Sequence, residues 1–369
     1  MTKRKIGKLT EVKVDLASYS YLMNGVAGIG KTTTVTDICK KEFGVDGFIL
    51  LTIGREPKPS HIGGIMAESI SDWDDLEEVI DILCEDKKTE YPNLRMLVID
   101  SVDEVFRLAE QKVIELHNKK VASATDRIDT IKKAFGGFQA GENKVCSLIT
   151  ELLFKVVDYG INLFFIGHTK QKNKTDLFTE IEYEQITSNL DNKYYNCIKD
   201  KVNIVMCAYM EREFTDVKTR KDVFTKTNKD IGQIKSEKRV VSFRDESYAL
   251  DVKSHLKNIC DKCELNADII ITELKEAMKK QNGMFGGEMT DKAIDEKVKK
   301  EREEQSNTQP KVNNIEVEVK QNKLEEIKQN LSNINMEQLQ DIMTKYKLSS
   351  FEDVSVIPME CLDDILKLL

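Results

Sequence analysis

The chain has 369 residues, a formal net charge of −8 and 40% hydrophobic residues. This length and apolar content suffice for one sizeable α/β core with a smaller module or tail. The acidic balance excludes a protein coated in positive charge, although nucleic-acid binding requires only a local basic groove. No apolar run is long enough to span a membrane, and residues 1–10 lack the apolar core of a signal peptide, so we expect a cytoplasmic protein.

Short apolar runs alternate with amphipathic stretches from residue 19 to about residue 260, which is typical of a parallel sheet covered by helices. The runs are continuous, as expected for strands buried on both faces, and comprise residues 18–23, 47–53, 96–100, 161–167 and 202–209. Helical spacing of apolar residues occurs at 35–43, 73–85 and 143–160. Residues 239–245 alternate apolar and polar side chains, which predicts an antiparallel edge strand.

These patterns predict an α/β fold, a mostly parallel sheet flanked by helices, followed by an α-helical C-terminal module. The predicted regions are a basic lead-in, a core, a charged helical segment with a linker, and a small helical module, at 1–18, 19–263, 264–316 and 317–369. The charged segment has Glu and Lys at spacings that permit pairs on a solvated helix. The apolar spacing of the last module predicts a compact helical unit that could bind a partner helix or DNA.

The eight cysteines are scattered, and in a reducing cytosol this predicts buried thiols. Only Cys260 and Cys263 have a spacing typical of metal ligands. A zinc site needs four ligands, a second such pair is missing, and His255 is the only nearby addition. We therefore interpret the pair as two cysteines that flank a turn.

Residues 25–34 (GVAGIGKTTT) match the pattern GxxxxGK[ST], between an apolar strand and a predicted helix. Glycines let backbone N–H groups curl around phosphate oxygens, and the helix N-terminus points its positive end at the same anion. Lys31 is predicted to reach the β- and γ-phosphates, and Thr32 to ligate Mg²⁺. A Rossmann dinucleotide site is disfavoured because GxGxxG is not present in that register. The predicted ATP site comprises Gly25, Val26, Ala27, Gly28, Ile29, Gly30, Lys31, Thr32 and Thr33.

A second element of the site is the apolar strand that ends in Asp100 (MLVID, 96–100). The carboxylate lies at the carboxyl edge of the sheet, where we predict that it holds Mg²⁺ through water and pairs with Thr32. Aspartates at strand ends are common. One that follows a phosphate loop by about seventy residues, with another strand between, is a stronger signal.

Hydrolysis needs a group that orients a water molecule, and the acid that follows the second strand is Glu56. It would lie near the γ-phosphate if that strand neighbours the strand of the phosphate loop. We predict that Glu56 is the base. Two alternatives stay open: Glu56 pairs only with the basic side chain of Arg55 or Lys58, or another acid, Asp103 or Glu104, does the work.

A further apolar strand ends in Gly-His-Thr-Lys, which brings His168 and Thr169 to the same edge of the sheet. Polar residues at that position can sense the γ-phosphate and pass its presence to the adjoining loop. We predict that His168 is such a sensor.

These elements together resemble the RecA-like P-loop ATPases, and within them a phage-encoded group of single-strand annealing and recombination ATPases. The resemblance covers roughly residues 15–260. The less specific features of this resemblance are the polar loop after His168, the short helix and strand within 186–213, and a closing hairpin at 239–256. In that hairpin the family positions correspond to Arg239, Tyr248, Lys253 and His255, and the family often has arginine at the last of these.

The resemblance implies a RecA-type core that hydrolyses ATP with Mg²⁺ at the interfaces of a ring or filament and binds single-stranded DNA near the central axis. Basic residues support DNA contact: Lys170, Lys172 and Lys174 alternate after His168, and a second basic cluster follows at 218–229. Aromatic residues interleaved with them can stack on bases; they are Phe178, Tyr183 and Phe224. The alternative is a solvated lysine-rich surface.

We therefore expect a DNA-stimulated ATPase that acts in recombination, annealing or replication. One alternative is a helicase or helicase loader, although the helical lid of an AAA+ loader is not evident before 239–253. The other is a regulator in which nucleotide holds a conformation and the tail binds a partner.

Overall fold

The computed structural model describes the greater part of the first three hundred residues. The described residues are 13–56, 60, 62–121, 123–176, 179–221, 228–245, 249–286, 327, 342, 345, 361 and 365. The chain divides into two compact units, residues 1–306 and 307–369. Every element below belongs to the first unit, and the helical module predicted at 317–369 lies outside the described residues except for five single positions.

Ten strands of the described chain form one mixed sheet. They are β1 (Tyr21–Gly25), β2 (Phe48–Ile53), β3 (Met66–Ile70), β4 (Met96–Asp100), β5 (Asn162–Thr175), β6 (Glu182–Ser188), β7 (Ile204–Lys221), β8 (Asn228–Ser242), β9 (Lys253–Ser254) and β10 (Lys262–Glu264). Their order is β10-β8-β7-β1-β5-β4-β2-β3, with β6 paired to β5 and β9 paired to β7. The six strands from β7 to β3 are parallel to their neighbours.

Seven α-helices of the described chain flank this sheet. They are α1 (Lys31–Phe43), α2 (Trp73–Glu85), α3 (Val102–Lys120), α4 (Ala140–Leu153), α5 (Lys155–Asp158), α6 (Asn192–Lys199) and α7 (Ala267–Gly286). None of the helices that the structure describes combines the length and the apolar character needed to cross a membrane. The predicted α/β class, a mostly parallel sheet between helices, is confirmed.

The five apolar runs form β1, β2, β4, β5 and β7, as the sequence predicts. The strand β3 and the helix α3 were not predicted. The strand β3 lies at the end of the sheet order and most of its side chains are partly or fully exposed, so it lacks an apolar run. The helix α3 follows Asp100 after a single residue, Ser101.

Residues 239–242 pair with β7 in antiparallel fashion, as predicted, and Val241 lies opposite Ala208. The prediction of an edge strand is wrong, because β10 lies beyond β8. The loop predicted after His168 is also corrected. The strand β5 continues to Thr175 and forms a hairpin with β6, since its alternating polar side chains suit a strand that leaves the core.

Two apolar clusters fill the spaces between the sheet and its two helical layers. Leu22 of β1 belongs to the cluster that includes residues of α2, α3 and α4. Its neighbours Tyr21 and Met23 belong to the other cluster, with residues of α1 and α7. This alternation follows from the period of two in a strand, and it fixes which side chains point to which helical layer.

The helix α7 packs against the layer of α1, although the sequence analysis assigned it to a charged segment after the core. Ile270, Leu274 and Met278 are spaced four residues apart, which places them on one side of the helix, and all three are buried. They share the apolar cluster with Val35 and Ile38 of α1. The structured core therefore continues at least to the end of α7.

Replacement of Leu274 by Ala removes a side chain that is 1% exposed, and we expect a loss of unfolding free energy of about 2–5 kcal/mol. Urea unfolding measures it. The control is Glu276→Ala on the exposed side of α7, which we expect to change stability by less than about 0.5 kcal/mol. Equal stabilities of the two variants would show that α7 does not pack on the core.

Candidate nucleotide site

The phosphate loop starts where β1 ends, at the carboxyl edge of the parallel strands. Gly25 pairs with His168 of β5 and with Ala208 of β7. A Cβ atom at Gly25 would lie 2.7 Å from the carbonyl oxygen of Ala208, so only glycine fits this position. Gly30 is the N-cap of α1 with φ of +106°. Because it has no side chain, it leaves the first N–H groups of α1 to be satisfied by another partner, such as an anion.

Lys31 is buried inside this loop rather than extended into solvent, with 6% of its surface exposed. Its Nζ atom donates hydrogen bonds to the carbonyl oxygens of Gly25 at 2.9 Å and Val26 at 3.1 Å. Burial lowers the pKa of Lys31, and the negative charges of Asp100, Asp103 and Glu56 oppose that shift. The ammonium is therefore held among carboxylates at the point where the loop would receive phosphate.

Thr32 and Asp100 are in direct contact, as the sequence predicts. The Thr32 hydroxyl donates a hydrogen bond of 2.6 Å to Oδ2 of Asp100. Burial raises the pKa of Asp100, while the bond from Thr32 acts in the opposite direction. A hydroxyl and a carboxylate at this distance provide the oxygen ligands that Mg²⁺ prefers, so the residues fit the predicted ion.

Glu56 lies at the site, although the strand order differs from the one on which its prediction depended. The condition that β2 neighbours β1 is not met, because β5 and β4 lie between them. Instead β2 pairs with β4, and its following turn lies beside the end of β4. There Oε1 of Glu56 accepts a hydrogen bond of 2.7 Å from the hydroxyl of the fully buried Ser101. Ser101 is not among the predicted site residues, although its place directly after Asp100 could have suggested a role.

Two acids that competed with Glu56 have other partners. Glu104 accepts hydrogen bonds from the backbone N–H of Arg55 at 3.0 Å and from Nε of Arg107 at 2.8 Å. Asp103 accepts a bond of 3.0 Å from the backbone N–H of His168, and its Oδ2 lies 3.3 Å from Nδ1 of the same residue. The interaction with Asp103 raises the pKa of His168, against the effect of burial.

Three buried polar atoms around this edge have no hydrogen-bond partner among the described residues. They are Oδ1 of Asn24, Oγ1 of Thr52 and Oδ1 of Asp103. Thr52 pairs in register with Asp100, and Asn24 directly precedes Gly25. Buried polar atoms are normally satisfied, so each of these three atoms marks a position that a water molecule could occupy.

The three lysines predicted to contact DNA lie on the hairpin of β5 and β6. Lys170 donates to the carbonyl oxygens of Asn189 at 2.6 Å and Leu190 at 3.2 Å. Lys172 donates to Oδ1 of Asn192 at 3.2 Å. Lys170 and Lys172 thus tie the hairpin to the start of α6. Lys174 makes no such bond within the described chain and lies opposite Tyr183.

The basic residues of the predicted closing hairpin are also placed. Nζ of Lys253 donates to the carbonyl oxygens of Lys199 at 2.9 Å and Val202 at 3.0 Å, after the end of α6. His255 lies beside the Asn203 side chain. Arg239 approaches the phosphate loop, while Tyr248 lies outside the described residues.

Cys260 and Cys263 lie on either side of the start of β10, and no group of three or more metal-ligating side chains is found in the described residues. Burial raises the pKa of Cys260 to about 12 and that of Cys263 to about 11.

The comparison with protein families agrees with this geometry. A family model described as an AAA domain matches residues 17–247, which is well over half of the chain. The chain belongs to the AAA domain family. Membership makes it a P-loop nucleotide-binding ATPase, and the matched span contains the loop at 25–33 as well as Asp100 and His168. A search of curated proteins found no match.

The pKa of His168 provides a test of its pairing with Asp103. We expect His168 to titrate above the ordinary value for histidine and His255 below it, because burial and the nearby Lys253 lower the pKa of His255. Asp103→Asn should lower the midpoint of His168 and leave that of His255 unchanged, as NMR titration of the ring protons measures. An unchanged His168 midpoint in this variant would contradict the pairing.

The same pairing affects stability with a definite sign. A histidine pKa that is raised on folding stabilises the protein below the unfolded value of about 6.5, and this stabilisation is lost as pH rises through the folded value. The difference in unfolding free energy between wild type and Asp103→Asn should therefore be larger at pH 6 than at pH 8.

Proposed function

We propose that this protein hydrolyses ATP with Mg²⁺ and acts on single-stranded DNA in recombination or annealing, as in the phage-encoded group that its motifs resemble. The observation that supports ATP hydrolysis is that Lys31, Thr32, Asp100 and Glu56 converge at one end of the sheet. The Thr32 hydroxyl oxygen lies only 2.6 Å from Oδ2 of Asp100. These groups end or follow three different strands, β1, β2 and β4, so a chance match of the loop pattern does not account for them.

The loop at 25–33 would hold the phosphates through its N–H groups, and Lys31 would exchange its bonds to backbone carbonyls for bonds to phosphate oxygens. The Thr32 hydroxyl would ligate Mg²⁺, with Asp100 holding the ion through water. When bound, Mg²⁺ neutralises charge on the terminal phosphates.

Glu56 is the acid that we assign to the water. Its partner is the neutral hydroxyl of Ser101, which orients the carboxylate without cancelling its charge. Glu104 is held by Arg107, and Asp103 is held by His168, so each has a cation or a potential cation beside it. His168 lies in β5 opposite Gly25, where the phosphate loop begins, and beside Asp103, which suits the role of a phosphate sensor.

DNA binding is supported by the two hairpins that extend beyond the carboxyl edge of the sheet. The segment 210–239, most of β7 and β8, has nine Lys or Arg and six Asp or Glu, whereas the whole chain is acidic. Phe214 and Ile234 lie opposite each other on this hairpin and are more than half exposed. A cationic arm with exposed apolar side chains can follow phosphates and stack on bases. Assembly into a ring or filament would bring several arms to one strand of DNA.

The ATPase assignment predicts that Lys31→Ala lowers the rate of hydrolysis at least about a hundredfold, because it removes the charge at the phosphates. Glu56→Gln should lower the rate by about 10²–10⁴-fold and retain ATP binding, since the amide can still accept the bond from Ser101. Phosphate release and binding of a fluorescent ATP analogue measure the two effects. The matched control is Glu104→Gln, and a larger loss in that variant would assign the water to Glu104 instead.

The DNA assignment predicts that single-stranded DNA stimulates hydrolysis and that the stimulation fades as salt rises. Lys174→Glu should reduce the stimulation and leave the basal rate unchanged. The control is Lys88→Glu, an exposed lysine on the connection that leads to the opposite edge of the sheet. Hydrolysis that is indifferent to nucleic acid in the wild type would refute the DNA assignment and leave an ATPase regulated by a protein partner.

A further inference from the structure

Arg239 lies above the carboxyl edge of the sheet, on the side of β1 away from Asp100. Gly25, where the phosphate loop begins, pairs with Ala208 of β7, and Ala208 pairs with Val241 of β8. Arg239 lies opposite Met210, two residues further along the hairpin. At about 3.4 Å per residue, its backbone is roughly 7 Å beyond the level at which β1 ends.

The side chain of Arg239 points toward the helical layer of α1. Residues two apart in a strand share a face, and Val241 packs in the apolar cluster that contains Ile29 and Val35. Arg239 follows the same direction above that cluster. Its Nη1 atom lies 3.6 Å from the position that a Cβ atom would take at Gly30. The guanidinium therefore lies against the N-cap of α1, in the same chain.

Arg239 adds a positive charge at the N-terminus of α1. The guanidinium is permanently cationic, and the N-terminus of α1 carries the positive end of the helix dipole. Lys31, which directly follows Gly30, is a third positive group. Within the described residues, the side chain of Arg239 forms no ion pair or hydrogen bond, and it is exposed. Carboxylates offset the charge of Lys31, whereas none of the described carboxylates pairs with Arg239, so a polyanionic ligand at the N-terminus of α1 would be attracted to the guanidinium.

We propose that Arg239 contacts the terminal phosphates of the nucleotide bound by its own chain. The inference rests on the proposed function, because it requires a nucleotide at the phosphate loop. Glu56, Asp100 and His168 come from β2, β4 and β5, all on one side of β1, whereas Arg239 comes from the other side through β7 and β8. The terminal phosphates lie between the two groups. Arg239 holds them in a fork of N–H donors on the side away from the metal ligands.

The first test compares nucleotide binding by the full chain. Arg239→Ala should weaken binding of a fluorescent ATP analogue about tenfold or more, and that of the ADP analogue less, because the last phosphate is lost in ADP. Arg239→Lys should lie between, since it keeps the charge but not the fork of donors. The matched control is Lys238→Ala, which loses the same charge from the opposite face of the same strand and should bind like wild type.

The possible outcomes separate this inference from the proposed function. A wild-type chain that binds no ATP would refute the proposed function itself. Tight binding by the wild type together with equal affinities of Arg239→Ala and Lys238→Ala would overturn the contact alone. Thermal unfolding of both variants identifies any loss that comes from misfolding, and in that case Arg239→Lys decides.

The second test asks whether the contact is made within one chain. Arg239→Ala is mixed with Lys31→Ala, which keeps Arg239 but has a defective phosphate loop. An arginine acting on a neighbouring subunit would be supplied by the Lys31→Ala chain, and hydrolysis would recover on mixing. Absence of recovery is the expected result, and recovery would overturn the contact within one chain.

Discussion

The candidate site depends on the hydrogen bond between Thr32 and Asp100, and this bond forms only if the ends of β1 and β4 are brought to the same level of the sheet. Thr32 belongs to the helix after β1, while Asp100 ends β4, and the whole width of β5 separates the two strands. The registers of β1 with β5 and of β5 with β4 bring the two ends to one edge. A slip of one residue in either pairing would turn the Asp100 side chain to the other face. The buried apolar residues of these strands prevent that slip, because they fill clusters on both faces.

Electrostatic balance in the site follows from the same burial. Lys31 is withdrawn from water, which disfavours its charge, and the acids around it offset part of that cost. Asp100 is also disfavoured as an anion, and the nearby Glu56 adds to the effect. The two pKa shifts have opposite directions and a common cause, which is the burial of both groups in a partly desolvated space. A magnesium ion with a polyphosphate adds charge of both signs to such a space, so the site is suited to that pair of ligands.

Much of the fold was predictable because buried parallel strands have a simple signature. The five continuous apolar runs identified the central strands, and the phosphate loop followed from glycine spacing between a strand and a helix. The strands β3 and β6 were missed because they are polar and partly exposed, so their formation depends on partners distant in the chain. The contact of Glu56 with Ser101 depends on strand order, and order is a long-range property that spacing along one sequence does not contain.

The difference between a loop and a hairpin matters most for the reach of the basic residues. A flexible loop after His168 could bring Lys170 and Lys172 to any nearby ligand, but in the hairpin both are bonded to the segment before α6 or to its start. The hairpin of β7 and β8 shows the opposite case. Its strands continue the sheet beyond the phosphate loop, so a residue on it has a position fixed by cross-strand pairing rather than by loop conformation. That fixed position brings the cation of Arg239 to Gly30, a residue more than two hundred positions earlier in the chain.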